Sequence, residues 1–572
     1  MTVTDATWYN SMIMESRPLI AQSDQSLLLD AHDPAFDEAR AELSAFATLE
    51  KSPEHFHSYR LDALSLWNAA SAGLSPDQVV ASLARWSRYA LPPSMESSVR
   101  DTMSRFGMIV LRQGAAPDTL QLLCDDAFVR LELGSSRKLA KYLVEEGDGF
   151  SLRLTDRGTV KRELIKLGWP ALDEAPLSDG DPHALGLKTV HANDQPFGLR
   201  AYQEDAVRAF VGRGAPGTGY GVVVMPCGAG KTVVGMAIMA AIGRKTLIVT
   251  TNVAAVHQWM DELLDKTDIR PEDIGEYTGA AKDVRSITVA TYQVLTWRPD
   301  KDADFPHFSL FRREKWGLII YDEVHLLPAP VFRVVAEIQA IRRLGLTATL
   351  VREDGLQEDV FSLIGPKRYD VPWKELEAKG FIAEAFCREI RVPMNDHERL
   401  RYLGGAQRDR HRIAAENPIK NRVVKELIDN HPEDLVMVIG QFLEQLRVLA
   451  KELNAPIITG ATPNAERERI YKEFREGRVR VIVVSRVANF AIDLPDASVA
   501  IQVSGTFGSR QEEAQRLGRI LRPKRKNSYF YSLVSRFTVE EEYADNRRRF
   551  LTEQGYRYTI EAWEEGEWMP TA

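Results

Sequence analysis

Residues 221–242 read Gly-Val-Val-Val-Met-Pro-Cys-Gly-Ala-Gly-Lys-Thr-Val-Val-Gly-Met-Ala-Ile-Met-Ala-Ala-Ile. A β-branched run leads into a glycine-rich loop that closes on Lys231 and Thr232, and an apolar helical stretch follows. That order is where a phosphate-binding loop belongs. Glycines let successive backbone N–H groups turn toward phosphate oxygens, and the helix N-terminus adds partial positive charge. Pro226, Cys227, Gly228, Ala229 and Gly230 would form the cradle, Lys231 would reach the β- and γ-phosphates, and Thr232 would ligate Mg2+. Met225 stands where the general pattern has its leading glycine. The competing reading, a glycine turn that merely contains a lysine, does not account for the flanking strand and helix.

Working outward, short apolar runs alternate with helical stretches at 246–250, 287–291 and 317–323, the rhythm of a parallel sheet buried on both faces. A second series follows at 435–439, 456–460, 479–485, 499–504 and 529–534. Two tandem parallel α/β domains of the RecA-like kind are the economical reading. The run 317–323 ends in Asp322 and Glu323. A carboxylate at a strand end can hold Mg2+, and its neighbour can polarise an attacking water. With the lysine loop, this predicts hydrolysis of a nucleoside triphosphate. A cation from the second domain is then needed at the γ-phosphate. On a helix Gln515, Arg519 and Arg522 share one face and supply it.

Upstream, 61–74 and 79–91 carry apolar residues at three- and four-residue spacing, and Ser75-Pro76-Asp77 marks a helix start. The runs 108–113 and 128–133 read as strands, and 136–146 as helix. The expected organisation is a mainly helical or mixed accessory domain over 1–125, a small mixed α/β module over 126–170 and a linker over 171–198. The two RecA-like domains follow over 199–385 and 386–572.

Length suggests three or four domains, and 44% hydrophobic with 27% charged residues excludes a disordered or fibrous chain. No apolar run approaches a membrane span, and the first residues lack a basic-then-apolar targeting pattern, so a cytoplasmic protein without membrane contact is expected. Three scattered cysteines, Cys124, Cys227 and Cys387, argue against a disulfide framework or zinc site. The net charge of −8 is uneven. Residues 1–194 carry 19 Lys+Arg against 28 Asp+Glu, residues 1–50 alone contribute −7, and the remaining 378 residues sum to +1. The acidic first 50 residues are expected to dock a basic partner or cover the two α/β domains rather than touch an anionic partner.

These motifs resemble those of the superfamily 2 helicases, and within them the XPB family. Asp322-Glu323-Val324-His325 is similar to the family's DEVH box, and Thr347-Ala348-Thr349 to its motif III. Leu199-Arg200-Ala201-Tyr202-Gln203 resembles the adenine-side motif, and Arg352-Glu353-Asp354 the RED motif that marks this family. Gly460-Ala461-Thr462, Ala465-Glu466-Arg467, Phe474 and Ile492-Asp493-Leu494-Pro495 follow the second-lobe pattern. Residues 529–534, 549–556, 17–19 and 56–74 extend the resemblance over nearly the whole chain, in a form similar to the prokaryotic members. The chain departs at Asn489, where an acidic residue is expected, and in a short thumb near 393–418.

The resemblance implies an ATP-dependent 3′→5′ DNA helicase or double-stranded-DNA translocase related to nucleotide excision repair and transcription, with ATP and Mg2+ as cofactors. Lys231 and Thr232 would hold phosphates and metal, Asp322 would position Mg2+, and Glu323 would be the base. Arg519 and Arg522 would be arginine fingers with Gln515 orienting, while Arg200, Tyr202 and Gln203 would serve the adenine. Arg352, Glu353 and Asp354 would act at the DNA fork, with a plain salt-bridge role as the alternative. DNA contact would be to phosphates, independent of sequence, on a forked or tailed duplex. Its candidate positions are Arg408, Arg410, Arg412 and Lys524-Arg525-Lys526, with Trp297 and Phe507 as stacking residues; an ordinary solvated surface competes for each basic cluster. The protein would be monomeric or part of a heterocomplex, with a partner nuclease as the expectation. Two other readings remain open: an RNA-directed motor of the same superfamily, and an ATP-switched scaffold for such a nuclease.

Overall fold

A computed structural model describes the chain apart from residues 1–16, 44, 52–54, 72, 117–118, 175–178, 192–193, 213–218, 227, 301–305, 308–313, 327–339, 349–359, 361–363, 366, 372, 382–383, 486–496, 506–526, 554–557, 565–566 and 571–572. It divides into two units: residues 1–224, 231–350 and 354–370, and residues 225–230, 351–353 and 371–572.

The first unit opens with β1 (Leu19–Ala21), β2 (Ser26–Asp30), β3 (Thr48–Lys51) and β4 (Phe56–Arg60), an antiparallel sheet in the order β1-β2-β4-β3. The alternation in β2 buries Leu27 and Leu29 against Leu66, Leu83 and Val99 of the helices Ala63–Ser71, Pro76–Trp86 and Pro93–Ser104. Ser75 caps the second of these helices reciprocally: its Oγ accepts from Gln78 N, and Gln78 Oε1 accepts from Ser75 N. Several acidic residues of the expected docking segment are used internally. Glu42 accepts from Ser82 Oγ, Trp86 Nε1 and Arg85 Nη1, while Asp30 pairs with Arg88 and Glu50 with Arg60.

A five-stranded sheet follows in the order β7-β8-β6-β5-β9, from β5 (Ile109–Gln113), β6 (Thr119–Cys124), β7 (Val144–Glu146), β8 (Gly149–Arg153) and β9 (Ala171–Asp173). It spans the break expected at 125/126, because β6 pairs with β8 and β5 with β9; residues 171–173 are therefore sheet rather than linker. Two local readings are corrected. The strand expected at 128–133 lies within the helix Ala127–Ser135, because Asp126 caps it by accepting from Phe128 N and Val129 N, and Val129 and Leu133 bury at helical spacing. The helix expected at 136–146 gives way to turns and to β7, which the two-residue Gly147-Asp148 turn folds back onto β8. Beyond β9 the chain runs along the first parallel α/β domain: Gly186 N donates to Asp268 Oδ1 at 2.7 Å and Lys188 Nζ to Leu264 O at 2.6 Å.

Among the described residues the third sheet of this unit has seven strands, all parallel: β10 (Tyr220–Val224), β11 (Thr246–Thr250), β12 (Ile274–Tyr277), β13 (Ile287–Thr291), β14 (Leu318–Asp322), β15 (Arg342–Thr347) and β16 (Lys367–Asp370). Their order is β12-β13-β11-β14-β15-β10-β16, and β11 and β13 are buried at every position, as expected for strands covered on both faces.

The second unit carries β17 (Ala385–Val392), β18 (Val436–Gly440), β19 (Ile457–Ile458), β20 (Val481–Ser485), β21 (Val499–Gln502), β22 (Ser528–Ser535), β23 (Tyr558–Glu564) and β24 (Glu567–Pro570), in the order β19-β20-β18-β21-β22-β17-β23-β24. All pairings are parallel except the β23–β24 edge. The expected thumb region holds the helices Asp396–Gly404 and Gln407–Ala415. The buried Lys420 donates to Val503 O and to Glu540 Oε2 at 2.9 and 2.7 Å, joining the next helix to the sheet.

An ion cluster closes the five-stranded sheet. Arg157 donates from Nε and Nη2 to the two Asp173 oxygens at 2.9 and 2.5 Å, and Lys161 Nζ adds a bond of 2.9 Å. Burial alone would raise the Asp173 pKa, but Lys161 and Arg157 outweigh it and hold the carboxyl well below the usual range. Asp173→Ala should therefore cost about 3 kcal/mol, because two cations lose their counter-charge. A urea midpoint equal to that of the unsubstituted protein would contradict this. The depressed pKa also fixes the pH sense: the stabilisation is present above the ordinary carboxylate range and is lost as the pH falls below it.

Candidate functional site

The buried run of β10 passes into Met225 and Pro226, and the loop then turns through Gly228 and Gly230, each at φ +80°. A side chain adopts that region only at a steric cost, so glycine at these two positions lets the backbone curl. Ala229 N donates to Pro226 O at 3.1 Å, and a helix of 12 residues, Lys231–Ile242, starts at the lysine itself. Its first amides lack intrahelical acceptors and carry the positive end of the helix dipole.

At the end of β14, four buried residues give way to Asp322. Glu323 follows at φ +48°, an uncommon conformation for a residue with a Cβ. Its Oε1 lies 3.8 Å from Lys231 Nζ. Its Oε2 is buried, makes no hydrogen bond among the described residues, and sits 3.4 Å from His325 Nδ1. His325 is itself buried and shares a bond of 2.6 Å between Nδ1 and Thr347 Oγ1, linking the DEVH stretch to the strand end before Ala348.

Both Asp322 oxygens are oriented: Oδ2 accepts from Trp259 Nε1 at 2.9 Å and Oδ1 from Glu323 N at 3.0 Å. Tyr292 Oη donates to the Asp322 carbonyl at 2.9 Å. Burial, and then the Glu323 charge, push the Asp322 pKa up to about 6; the Trp259 bond and Lys231 oppose them. A cation beside a carboxylate whose other oxygen lacks a hydrogen bond, at the positive end of a helix, fits a triphosphate with its Mg2+.

The structure thus brings Lys231, Asp322 and Glu323 together, with Thr232 next on the helix. The motif at 199–203 caps its own helix, Ala201–Val211: Gln203 Oε1 accepts from Arg200 N at 2.9 Å, and Arg200 Nη1 donates to Tyr202 Oη at 3.0 Å. The Tyr202 ring is buried. In the expected thumb region, Arg410 donates to the carbonyls of Gly405 and Leu403, and Arg412 pairs with both Glu416 oxygens at 3.1 Å; Arg408 lies on the same helix. Trp297 is 53% exposed, as a stacking residue requires. Cys227, Thr349, Arg352, Glu353, Asp354, Asn489, Phe507, Gln515, Arg519, Arg522 and Lys524-Arg525-Lys526 lie outside the described residues.

Sequence reasoning missed Trp259 and Tyr292. Trp259 shares the apolar stripe of the helix Val253–Lys266 with Val256 and Leu263, so in sequence it reads as core. Only the neighbouring strand β14 reveals the acceptor for its indole N–H.

A parallel sheet with a glycine loop, Lys231 and the Asp322-Glu323 pair at its strand ends, followed by a second mainly parallel sheet, is the arrangement of a P-loop nucleoside triphosphatase. Comparison with known proteins narrows this. Residues 376–567 match the family described as ERCC3/RAD25/XPB C-terminal helicase, and residues 196–352 match the res subunit of type III restriction enzymes. Residues 19–148, in the accessory sheets, match a family described as helicase conserved C-terminal domain. The DNA 3′-5′ helicase XPB of Kineococcus radiotolerans is 49% identical over 551 residues, covering 96% of this chain and 97% of the relative. The protein of the same name from Mycobacterium tuberculosis is 49% identical over 96% of this chain and 98% of its own length. The general transcription and DNA repair factor IIH helicase/translocase subunit XPB of Encephalitozoon cuniculi is 34% identical over 96% of this chain and 83% of its own length. The chain belongs to the XPB family of helicases. No helix among the described residues is long and apolar enough to cross a membrane.

The seat of Trp259 can be tested through Gly235. A Cβ at Gly235 would lie 2.7 Å from Trp259 Cη2 and 3.3 Å from Leu346 Cδ1. Gly235→Ala gains about 1 kcal/mol of helix propensity but overpacks this contact, and a net loss of about 1–3 kcal/mol is expected from the urea midpoint. A raised midpoint would mean that the indole is not seated against that helix.

Proposed function

We propose that the chain is an ATP-dependent 3′→5′ DNA helicase or double-stranded-DNA translocase that works in nucleotide excision repair and in transcription. The observation that carries this reading is the convergence of Lys231, Asp322 and Glu323 at the C-terminal ends of one parallel sheet. The names of the relatives, DNA 3′-5′ helicase among them, support the choice of DNA and of polarity.

In this reading the loop Pro226, Cys227, Gly228, Ala229 and Gly230 wraps the phosphates, and Lys231 neutralises charge on the β- and γ-phosphates. Thr232 and Asp322 are the residues that would hold Mg2+, which would supply positive charge against the phosphates. Glu323 takes a proton from the attacking water, with its carboxylate positioned by Lys231 and by the strained turn after Asp322. Arg519 and Arg522 stabilise the departing charge, Gln515 orients, and Arg200, Tyr202 and Gln203 recognise adenine.

DNA is gripped through phosphates, without sequence preference and with strong salt dependence, on a forked or tailed duplex. Arg352, Glu353 and Asp354 serve the fork, and Arg408, Arg410 and Arg412 the thumb; the last two must exchange their internal partners to do so. A nuclease partner and a cytoplasmic setting complete the proposal.

Lys231→Ala should abolish DNA-stimulated ATP hydrolysis. Glu323→Gln should keep nucleotide affinity while turnover falls by about 10^2–10^4. Unchanged turnover in Glu323→Gln would remove Glu323 as the base. Stimulation by RNA equal to that by DNA would turn the assignment toward an RNA motor.

A further inference from the structure

Residues 536–538, between β22 and the helix Val539–Glu553, hold an aromatic side chain in a costly position. Phe537 has φ +60°, a region that a residue with a Cβ enters only against steric resistance. Its ring gains little from burial in return, being 71% exposed. A strained backbone that presents an apolar ring to solvent points to a use outside the fold.

The surroundings indicate which use. Arg536 Cζ lies 5.4 Å and Arg399 Cζ 5.9 Å from the Phe537 ring centroid. Arg399 belongs to the thumb helix Asp396–Gly404, and that helix is bonded to the same segment: Val539 N donates to Tyr402 Oη at 2.9 Å. Thr538 Oγ1 donates to Ser535 O at 2.7 Å, fixing the turn, and Arg536 is held by Glu564. The ring therefore stands on a fixed support with a guanidinium from each of two elements beside it. A nucleobase is the ligand suited to that arrangement. Its π-face stacks on the ring whatever its identity, and the guanidiniums attract the adjoining phosphates while adding cation–π attraction.

We propose that Phe537, with Arg399 and Arg536, forms a stacking platform for a base of single-stranded DNA beside the thumb. The proposal rests on the DNA-motor reading above and adds a contact point to it. Leu400 and Leu403 on the same helix are also exposed, at 71% and 60%, so a protein surface is the competing occupant. The paired arginines favour the nucleic acid, and the experiment separates the two.

The experiment measures binding of the full chain to oligothymidine carrying one 2-aminopurine, by affinity and by quenching of the probe. Phe537→Gly should bind about tenfold more weakly and lose the quenching. Its thermal midpoint should be equal or higher, because glycine accepts φ +60° without strain. Phe537→Asn, which also tolerates this backbone, should give the same pair of results, and Phe537→Tyr should keep both affinity and quenching. Arg399→Gln should weaken binding and flatten its salt dependence. Full affinity and quenching in Phe537→Gly and Phe537→Asn would overturn the proposal and leave the ring to a protein partner. A large fall in midpoint for both variants would overturn it in favour of a structural role. If the unsubstituted protein binds no oligothymidine, the platform is overturned, while the DNA-motor reading itself fails only if duplex and tailed DNA also leave ATP hydrolysis unstimulated.

Discussion

An ammonium and a carboxylate stand 3.8 Å apart at the site, although 92 positions separate Lys231 from Glu323 in the chain. Neither group chooses that distance. It follows from the strand order, in which β15 alone separates β10 from β14, so that the loop after one and the residue after the other leave the sheet on the same edge. The remaining features refine this placement. Glycines at 228 and 230 let the loop curl, the left-handed turn at Glu323 aims its side chain, and the Trp259 indole and the Glu323 amide orient Asp322. The Trp259 bond depends in turn on the absence of a side chain at Gly235.

Sequence legibility follows the range of the interactions. The loop at 225–232 and the strand ending at Asp322 were legible because each is one local strand-to-loop unit with its own pattern. The two parallel sheets were legible from their alternating rhythm, and β11 and β13 are buried throughout as that rhythm implies. The accessory module was read less well. Residues 128–133 alternate like a strand, yet the Asp126 cap commits them to helix; the β7 hairpin depends on its turn more than on the propensity of 136–146. Trp259 and Tyr292 could not be found in sequence at all. Both look like core residues, and their polar atoms acquire meaning only beside Asp322.

Charge shows a similar limit. The sum of −8 gave no reason to expect a nucleic-acid partner, and partition along the chain placed the acidic excess upstream of the motor. The structure then spends part of that excess internally, with Glu42, Asp30 and Glu50 engaged in their own module. The thumb cations behave alike, since Arg410 and Arg412 are both bonded within their own region. Formal charge counted along a sequence therefore overstates what is available to a partner. Polar groups close in the fold satisfy one another first.

The most direct measurement is strand displacement from duplexes carrying a 3′ or a 5′ single-stranded tail, with ATP and Mg2+ present. Displacement from the 3′-tailed duplex alone, lost in Lys231→Ala, is the expected result. Equal displacement from both substrates, or displacement that survives Lys231→Ala, would contradict a 3′→5′ motor driven from the site at the ends of β10 and β14.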